Sequence, residues 1–366
     1  MNADGRRIIA FVSCAEYSGG AEKYIKLLAC GLDRQRYEPV LVTSGAPGLE
    51  RLRSAVRDAG IRNETTEGKP FSSAGGARLF SCILRRLRPD IVHINMPGPF
   101  DCSYGLPASL AGLAGSGGIV TTEHLPMVET FAKAKFLRSI HMRRVSRFIT
   151  VSEDNRGHLE DKHGVPGDKI RVVHNGIPDP GRKAGWKDSG AGHTDLLIAG
   201  ALEERKGHRA LLSAMKQLPE SIHLAIAGEG PMRGELEKEL ATGRYGGRVT
   251  LLGRVDDMPD LIYRSDILVV PSLVEATPYV ILEAMAAGRP VVASAIFGIP
   301  EQVEDGVTGI LVPAGDEGSL AAAILRLSNG QELMRRMGEA GRDRFEDRFT
   351  LASSVANTAA VYDELL

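Results

Sequence analysis

The stretch from Asp266 to Ser294, DILVVPSLVEATPYVILEAMAAGRPVVAS, leaves few folds open to the chain that carries it. Its run Ile267-Leu268-Val269-Val270 is short, continuously apolar and closed by Pro271, the pattern of a strand buried on both faces of a parallel sheet. Thr277 can then cap a helix whose first position is Pro278. Ile281, Ala284 and Met285 form the apolar stripe of that helix, and Gly288 and Pro290 stop it. A second apolar run, Pro290 to Ala293, returns to the sheet. Strand, helix and strand in this order make one crossover unit, and its ligand side is the crevice beyond the strands' carboxyl ends.

Two glutamates fall on that side. Glu275 leaves the carboxyl edge of the sheet, and Glu283 lies on the helix, off its apolar stripe. Taken singly, each reads as a solvated residue. Taken together, they place one carboxylate before the helix and another over a turn inside it, near free amides that favour anionic ligands. A sugar nucleotide offers both hydroxyls and phosphates to such a site.

At 366 residues the chain is too long for one ordinary core, and its length predicts about two domains. Strands and helices alternate from the start. Strands are predicted at 8–12, 40–43, 90–94, 118–122, 148–151 and 171–173, with helices at about 20–32, 49–59 and 77–87, which makes the first half a Rossmann-like sheet. Residues 179–194, rich in glycine and charge around GRKAGWKDSGAGH, read as a surface linker. Beyond it, strands at 195–199, 222–227, 249–251 and 267–270 restart the pattern as a second doubly wound domain, ending in helices. The predicted division is therefore 1–178, linker 179–194, 195–348 and a helical end at 349–366.

Charge excludes some partners. With 45 basic and 46 acidic residues the net charge is -1, so no global field recruits nucleic acid or membrane, and any basic surface is local. Cys14, Cys30, Cys82 and Cys102 form no C-x-x-C pair and no interleaved histidine spacing, which argues against zinc and for reduced thiols. The polar, charged stretch Met1 to Arg7 lacks the apolar core of a signal peptide, and no run of about eighteen apolar residues occurs. A soluble, cytoplasmic protein is the expectation.

Several loops carry candidate chemistry. Ser18-Gly19-Gly20-Ala21-Glu22 follows the first strand and opens a helix without being G-x-G-x-x-G, so it reads either as a plain turn or as amides that approach an anion. Thr121-Thr122-Glu123-His124 ends a strand at its ligand side, although a lone histidine also reads as a packed residue. His93 ends another strand, where a structural role is equally consistent. Gly200-Ala201-Leu202-Glu203-Glu204-Arg205-Lys206-Gly207-His208 follows the first strand of the second half. Its cations suit phosphate oxygens or a solvated face alike.

From Pro271 to Val292 the order Pro-Ser, Glu275, Pro, Glu-Ala-Met-Ala-Ala-Gly and Pro-Val-Val resembles the E-x7-E signature of retaining glycosyltransferases of family 4. The resemblance implies the GT-B fold: α/β, with two Rossmann-like doubly wound domains facing an interdomain cleft, and 351–366 packing back on the first domain. It implies a UDP- or GDP-sugar as donor substrate, with no cofactor and no metal. It casts His124, Glu275 and Lys206 as catalytic. By the same resemblance, Gly19, Gly20, Arg205, Lys206, Arg254, Val255, Glu275, Ala276, Thr277 and Glu283 bind the donor: Lys206 its diphosphate, Glu275 its sugar hydroxyls, Glu283 its ribose, and the backbone of Arg254 and Val255 its base. The sequence departs from the family pattern at Ala201, where many relatives have arginine, at Pro178, and at Phe297, where Gly-Gly is frequent.

The acceptor implied is a lipid-linked saccharide or a growing polysaccharide in cell-surface glycan biosynthesis. Residues 133–147, KAKFLRSIHMRRVSR, form a basic amphipathic helix candidate that either is solvated or makes peripheral contact with the inner face of a membrane. Two other readings fit the same architecture: a sugar-nucleotide epimerase, and a non-catalytic nucleotide-sugar-binding partner. A dehydrogenase does not fit, because no strand carries the dinucleotide glycine fingerprint.

Overall fold

The computed structural model describes residues 5–17, 19–71, 73–96, 117–125, 143–181 and 193–366. The chain divides into two compact units, Met1–Gly176 with Leu351–Leu366, and Ile177–Thr350.

The first unit is built on a seven-stranded parallel sheet. Its strands are β1 (Arg7–Ser13), β2 (Tyr37–Thr43), β3 (Arg62–Thr65), β4 (Ile91–Met96), β5 (Gly118–Glu123), β6 (Arg147–Thr150) and β7 (Ile170–Val172), in the spatial order β3-β2-β1-β4-β5-β6-β7. All six residues of β4 are buried, as expected of a strand with a layer on each face. Yet this strand, IVHINM, holds two polar side chains, His93 and Asn95. One core packs Ala10, Val12, Val40, Val42, Val92 and Ile94 against Phe80 and Leu84 of the helix Ala74–Leu87.

The chain's last helix, Leu351–Asp363, belongs to this unit and lies on the helix Gly20–Gly31 so closely that a Cβ at Gly31 would stand 2.8 Å from Val355 Cγ2. The Tyr37 hydroxyl and the Arg36 guanidinium both donate to Asp363, at 3.0 and 2.8 Å.

The second unit has a six-stranded parallel sheet: β8 (Thr194–Ala199), β9 (Ile222–Ala227), β10 (Val249–Gly253), β11 (Ile267–Val270), β12 (Val291–Ser294) and β13 (Gly309–Val312), ordered β10-β9-β8-β11-β12-β13. Its core joins Leu196, Ile198, Ile226, Ile267 and Val269 of the sheet to Leu211, Met215, Ile324 and Leu327 of flanking helices. Asp179 near its start accepts a bidentate pair of hydrogen bonds from the buried Arg342, at 2.7 and 2.8 Å, fixing that segment to the helix Gln331–Arg348.

Most predicted elements are found within a residue or two of their expected ends, with differences of local chemistry. The helix after Glu275 starts at Tyr279; Pro278, extended at φ -65° and ψ 131°, is its capping position, so Thr277 is not the cap. The ψ of Pro278 keeps it outside the helix although its φ would suit the first turn. Elements not anticipated include β3, whose Arg62-Asn63-Glu64-Thr65 has no apolar run; β13; the helices Met258–Arg264 and Glu317–Ser328; and the helix Glu153–His163, which Ser152 caps by accepting from the Asn155 amide at 3.1 Å. Residues 182–192 of the expected linker, 133–142 of the basic segment, and Cys102 lie outside the described residues. At the end of that segment Val145 is buried and Arg147 opens β6, so the expected helix does not extend to Arg147. Among the described residues no helix is long and apolar enough to cross a membrane.

Candidate active site

In each sheet the strand order reverses once, between β1 and β4 and between β8 and β11. Loops that leave such a point diverge to opposite faces and open a crevice at the carboxyl edge. Gly19, Arg205, Lys206, Glu275, Ala276 and Thr277 lie in these loops and Gly20 opens the helix after the first, whereas His124 follows β5, Arg254 and Val255 follow β10, and Glu283 is on the helix Tyr279–Ala286.

In the second unit the loops after β8, β9 and β10 are sewn together through backbone. The Gly200 amide donates to the Ala227 carbonyl at 3.0 Å, Gly228 to Gly253 at 2.7 Å, and Leu202 to Glu229 at 2.9 Å. The loop after β11 joins from the other side, where the Leu273 amide donates to the Arg205 carbonyl at 2.7 Å. Two glycines permit this. Gly207 sits at φ +73°, and a Cβ there would meet the Pro271 carbonyl oxygen at 1.9 Å; a Cβ on Gly228 would meet that of Gly200 at 1.8 Å. No L side chain fits either approach.

The result is a tight charged cluster. The Lys206 ammonium donates to Glu275 Oε2, and Arg205 Nη1 stands 3.5 Å from the same oxygen while its Nε donates to Glu203 at 2.7 Å. Glu275 is buried, with Ala276 and Thr277 buried beside it. Lys206, Gly200, Pro271, Ser272 and Pro278 line a recess beneath the cluster. The structure thus brings Glu275, Arg205 and Lys206 to one place, but it joins the ammonium and the carboxylate that were expected to grip different parts of a ligand. Glu283 is half-buried on the helix Tyr279–Ala286, beside the buried stripe of Ile281, Ala284 and Met285. Arg254 is exposed and Val255 half-buried just after Gly253, whose φ of +69° turns the chain out of β10.

His208 went unmarked in the sequence because nothing in its spacing distinguishes it. It lines the same recess, is 1% exposed, and among the described residues neither ring nitrogen has a hydrogen-bond partner. Burial holds its pKa below the ordinary histidine value. The Glu203 backbone favours the cation slightly without hydrogen-bonding geometry, and the Lys206 charge opposes it.

In the first unit Gly19 caps the helix Gly20–Gly31. Its amide donates to Glu22 Oε2 at 2.9 Å, and Ser13 Oγ donates to Glu22 Oε1 at 3.1 Å. Burial raises the Glu22 pKa. Gly19 and Gly20 are exposed, and a Cβ on Gly20 would meet nothing within 4 Å. His124 is buried at the end of β5, its Nε2 donating to Asn95 Oδ1 at 2.7 Å, while Asn95 Nδ2 donates to the Ala21 carbonyl at 3.0 Å. Because the Asn95 amide nitrogen is committed to Ala21, its oxygen faces the ring, which places the His124 proton on Nε2 and leaves Nδ1 an acceptor. The Tyr24 ring meets the imidazole edge-on at 4.9 Å, and burial lowers the His124 pKa to about 3, so the ring is neutral. His93 is wholly internal: its Nδ1 meets the Tyr362 hydroxyl and its Nε2 meets Thr122 Oγ1 at 2.6 Å. It ties the last helix to the sheet.

Asn95 and Tyr24 were missed by sequence reasoning. The signal available for Asn95 was a second polar residue, two places after His93, inside an otherwise apolar strand. Phe297, at φ +46°, adopts the left-handed conformation in the place where Gly-Gly was noted as frequent. For a bulky residue that conformation costs about 1 kcal/mol or more.

Comparison with known proteins finds a family match on each half of the chain. A family model described as Glycosyltransferase Family 4 matches residues 18–179, and one described as Glycosyl transferases group 1 matches residues 193–329. The chain belongs to glycosyltransferase family 4. Among its relatives, an alpha-D-kanosaminyltransferase of Streptomyces kanamyceticus is 27% identical over 63% of this chain and 64% of its own length. The amylovoran biosynthesis glycosyltransferase AmsK of Erwinia amylovora is 31% identical over 55% of this chain and 52% of its own. The chain thus spans between half and two thirds of these curated relatives. A crystal structure of Anabaena HepE in complex with UDP superposes with a TM-score of 0.85 at 20% identity, covering 98% of this chain and 100% of that one. The GT-B fold expected of a family 4 member is therefore present, each sheet forming one of its two Rossmann-like units.

Proposed function

We propose that this family 4 protein transfers a sugar from a nucleoside diphosphate donor to a glycan acceptor, with retention at the anomeric carbon and without a metal at the donor. The observation that carries the reading is the Lys206–Glu275 pair, flanked by Arg205 and built by the loops at the strand-order reversal of the second sheet. UDP is the first choice of leaving group, since HepE, of the same fold, was solved with it.

Each residue has a chemical task in this reading. Lys206 and Arg205 neutralise the charge that grows on the diphosphate as the anomeric bond breaks, once donor binding draws the ammonium off Glu275. Arg205 supplies a guanidinium where Ala201 cannot. Glu275, with the backbone of Ala276 and Thr277, accepts hydrogen bonds from the sugar, and moving Lys206 onto phosphate frees its oxygen for them. Glu283 holds the ribose, and the backbone of Arg254 and Val255 meets the base. In the first unit the exposed turn at Gly19 and Gly20, its Gly19 amide already held by Glu22, and the acceptor nitrogen of neutral His124 serve the sugar and the incoming hydroxyl. The acceptor class we favour is a lipid-linked saccharide or growing polysaccharide, consistent with a relative named for amylovoran biosynthesis.

UDP and GDP are expected to differ in a thermal-shift titration, the preferred one raising Tm by mass action. Lys206→Ala is expected to lower turnover of the matching donor about a hundredfold, the scale of losing one oriented charge stabiliser. Unchanged turnover in that variant would remove the ammonium from the mechanism.

A further inference from the structure

At the other edge of the second sheet, where its strands begin, three metal-binding side chains meet. β8 and β9 pair in parallel with Asp195 opposite His223, and His193 stands two residues before Asp195. A spacing of two returns a side chain to the same face of a strand, and direct cross-strand partners share a face. The register therefore gathers His193, Asp195 and His223 on one side. Asp195 Oδ1 is 3.3 Å from His193 Nε2 and 4.0 Å from His223 Nδ1, and the two imidazoles stack at 4.4 Å with 21° between their planes. One ligand atom from each residue lies within 4.8 Å of the others.

We propose that His193, Asp195 and His223 form a binding site for a divalent transition metal, of which zinc is the representative. Two imidazoles and one carboxylate are a set that suits zinc, nickel or copper and gives magnesium and calcium too few oxygens. Around a tetrahedral zinc with bonds near 2.1 Å, donor atoms lie about 3.4 Å apart. The His193–Asp195 pair already meets that spacing, and the exposed His223 would turn out of its stack on His193 so that its in-plane lone pair converges on the same point. The Asp195 backbone is fixed meanwhile: its amide donates to Asp266 Oδ2 at 2.8 Å, and its carbonyl accepts from the Asp266 amide at 2.8 Å. Asp266 is buried, so the carboxylate ligand stands on a rigid base.

Because these residues begin their strands and the donor loops end them, the metal would not touch the reacting sugar. It would pin the first residues of β8 to β9, a contribution to stability rather than to the chemical step. Cysteine and histidine spacing along the chain carries no trace of such a site, since its histidines come together only through the β8–β9 register.

Isothermal titration of the tag-free protein with zinc chloride tests this. One equivalent is expected to bind, with Tm raised by zinc and returned by chelator. His223→Gln and His193→Gln, at partly or fully exposed positions, are each expected to weaken binding about tenfold or more, equal to about 1.4 kcal/mol. Absence of binding, or equal zinc heats in the wild type and both variants, overturns the site. So does magnesium binding that competes with zinc at equal concentration.

Discussion

The Asn95 amide decides what His124 can do. With its nitrogen spent on the Ala21 carbonyl, Asn95 has only an acceptor to show the imidazole, and the imidazole answers with Nε2–H. That one tautomer leaves Nδ1 as the acceptor nitrogen of the ring. Replacing Asn95 with leucine keeps the volume and removes the acceptor, and leaving a buried N–H unmatched costs about 1–3 kcal/mol. Asn95→Leu is expected to lower turnover more than tenfold while changing donor KM little, since the donor cluster is in the other unit. The ¹⁵N shifts of His124 give the check. They are expected to report a single Nε2–H tautomer in the wild type and a mixture in the variant; an unchanged tautomer would show that Asn95 does not set it.

At the scale of elements, the decisive pieces are the loops that leave the strand-order reversals. Gly207 shows how finely they are fitted. It combines φ +73° with a 1.9 Å approach to the Pro271 carbonyl, so Gly207→Ala must push the Lys206 loop away from the Glu275 loop. Loss of donor affinity is expected at a cost above the roughly 1 kcal/mol of an ordinary glycine replacement in the left-handed region. Nucleotide titration and a Tm comparison check it, and wild-type affinity in Gly207→Ala would refute the fit. Elements with strong periodicity or continuous apolar runs, such as β4, β9 and β11, were legible in the sequence. β3 was not, because an edge strand of four polar or half-buried residues gains its structure from pairing with β2 rather than from its own pattern. The start of the helix after Glu275 was misplaced for a similar reason, since the φ of a proline suits both the residue before a helix and its first turn.

At the scale of the whole molecule, two buried neutral histidines couple the first unit's stability to pH. Burial holds both His93 and His124 down to about 3 against an ordinary value of 6.5, and for His93 the neighbouring His124 adds to the effect. A folded-state pKa below the unfolded one means that the stabilisation is complete above pH 6.5 and is lost as pH falls toward 3. The loss is at most about 1.4 kcal/mol per pH unit for each histidine. Tm is therefore expected to fall between pH 7.5 and pH 5, above the range where ordinary carboxylates titrate. The slope is expected to be smaller in His124→Gln, whose amide can still donate to Asn95. A Tm independent of pH across that interval would contradict the assignment.

What the sequence determined by itself was set by local chemistry: apolar runs that must be buried on two faces, glycines and prolines that break them, and a run of residues from Pro271 to Val292 distinctive enough to place the chain in its family. From these came two parallel α/β sheets and the candidates Lys206, Arg205, Glu275 and His124. Only the tertiary structure decided the partnerships. The Lys206–Glu275 pair spans 69 residues, the His124–Asn95 bond 29, and the His93–Tyr362 contact 269. Such pairs are fixed by strand order and by how the last helix lies on its unit, because packing brings together side chains whose separation along the chain carries no periodic trace.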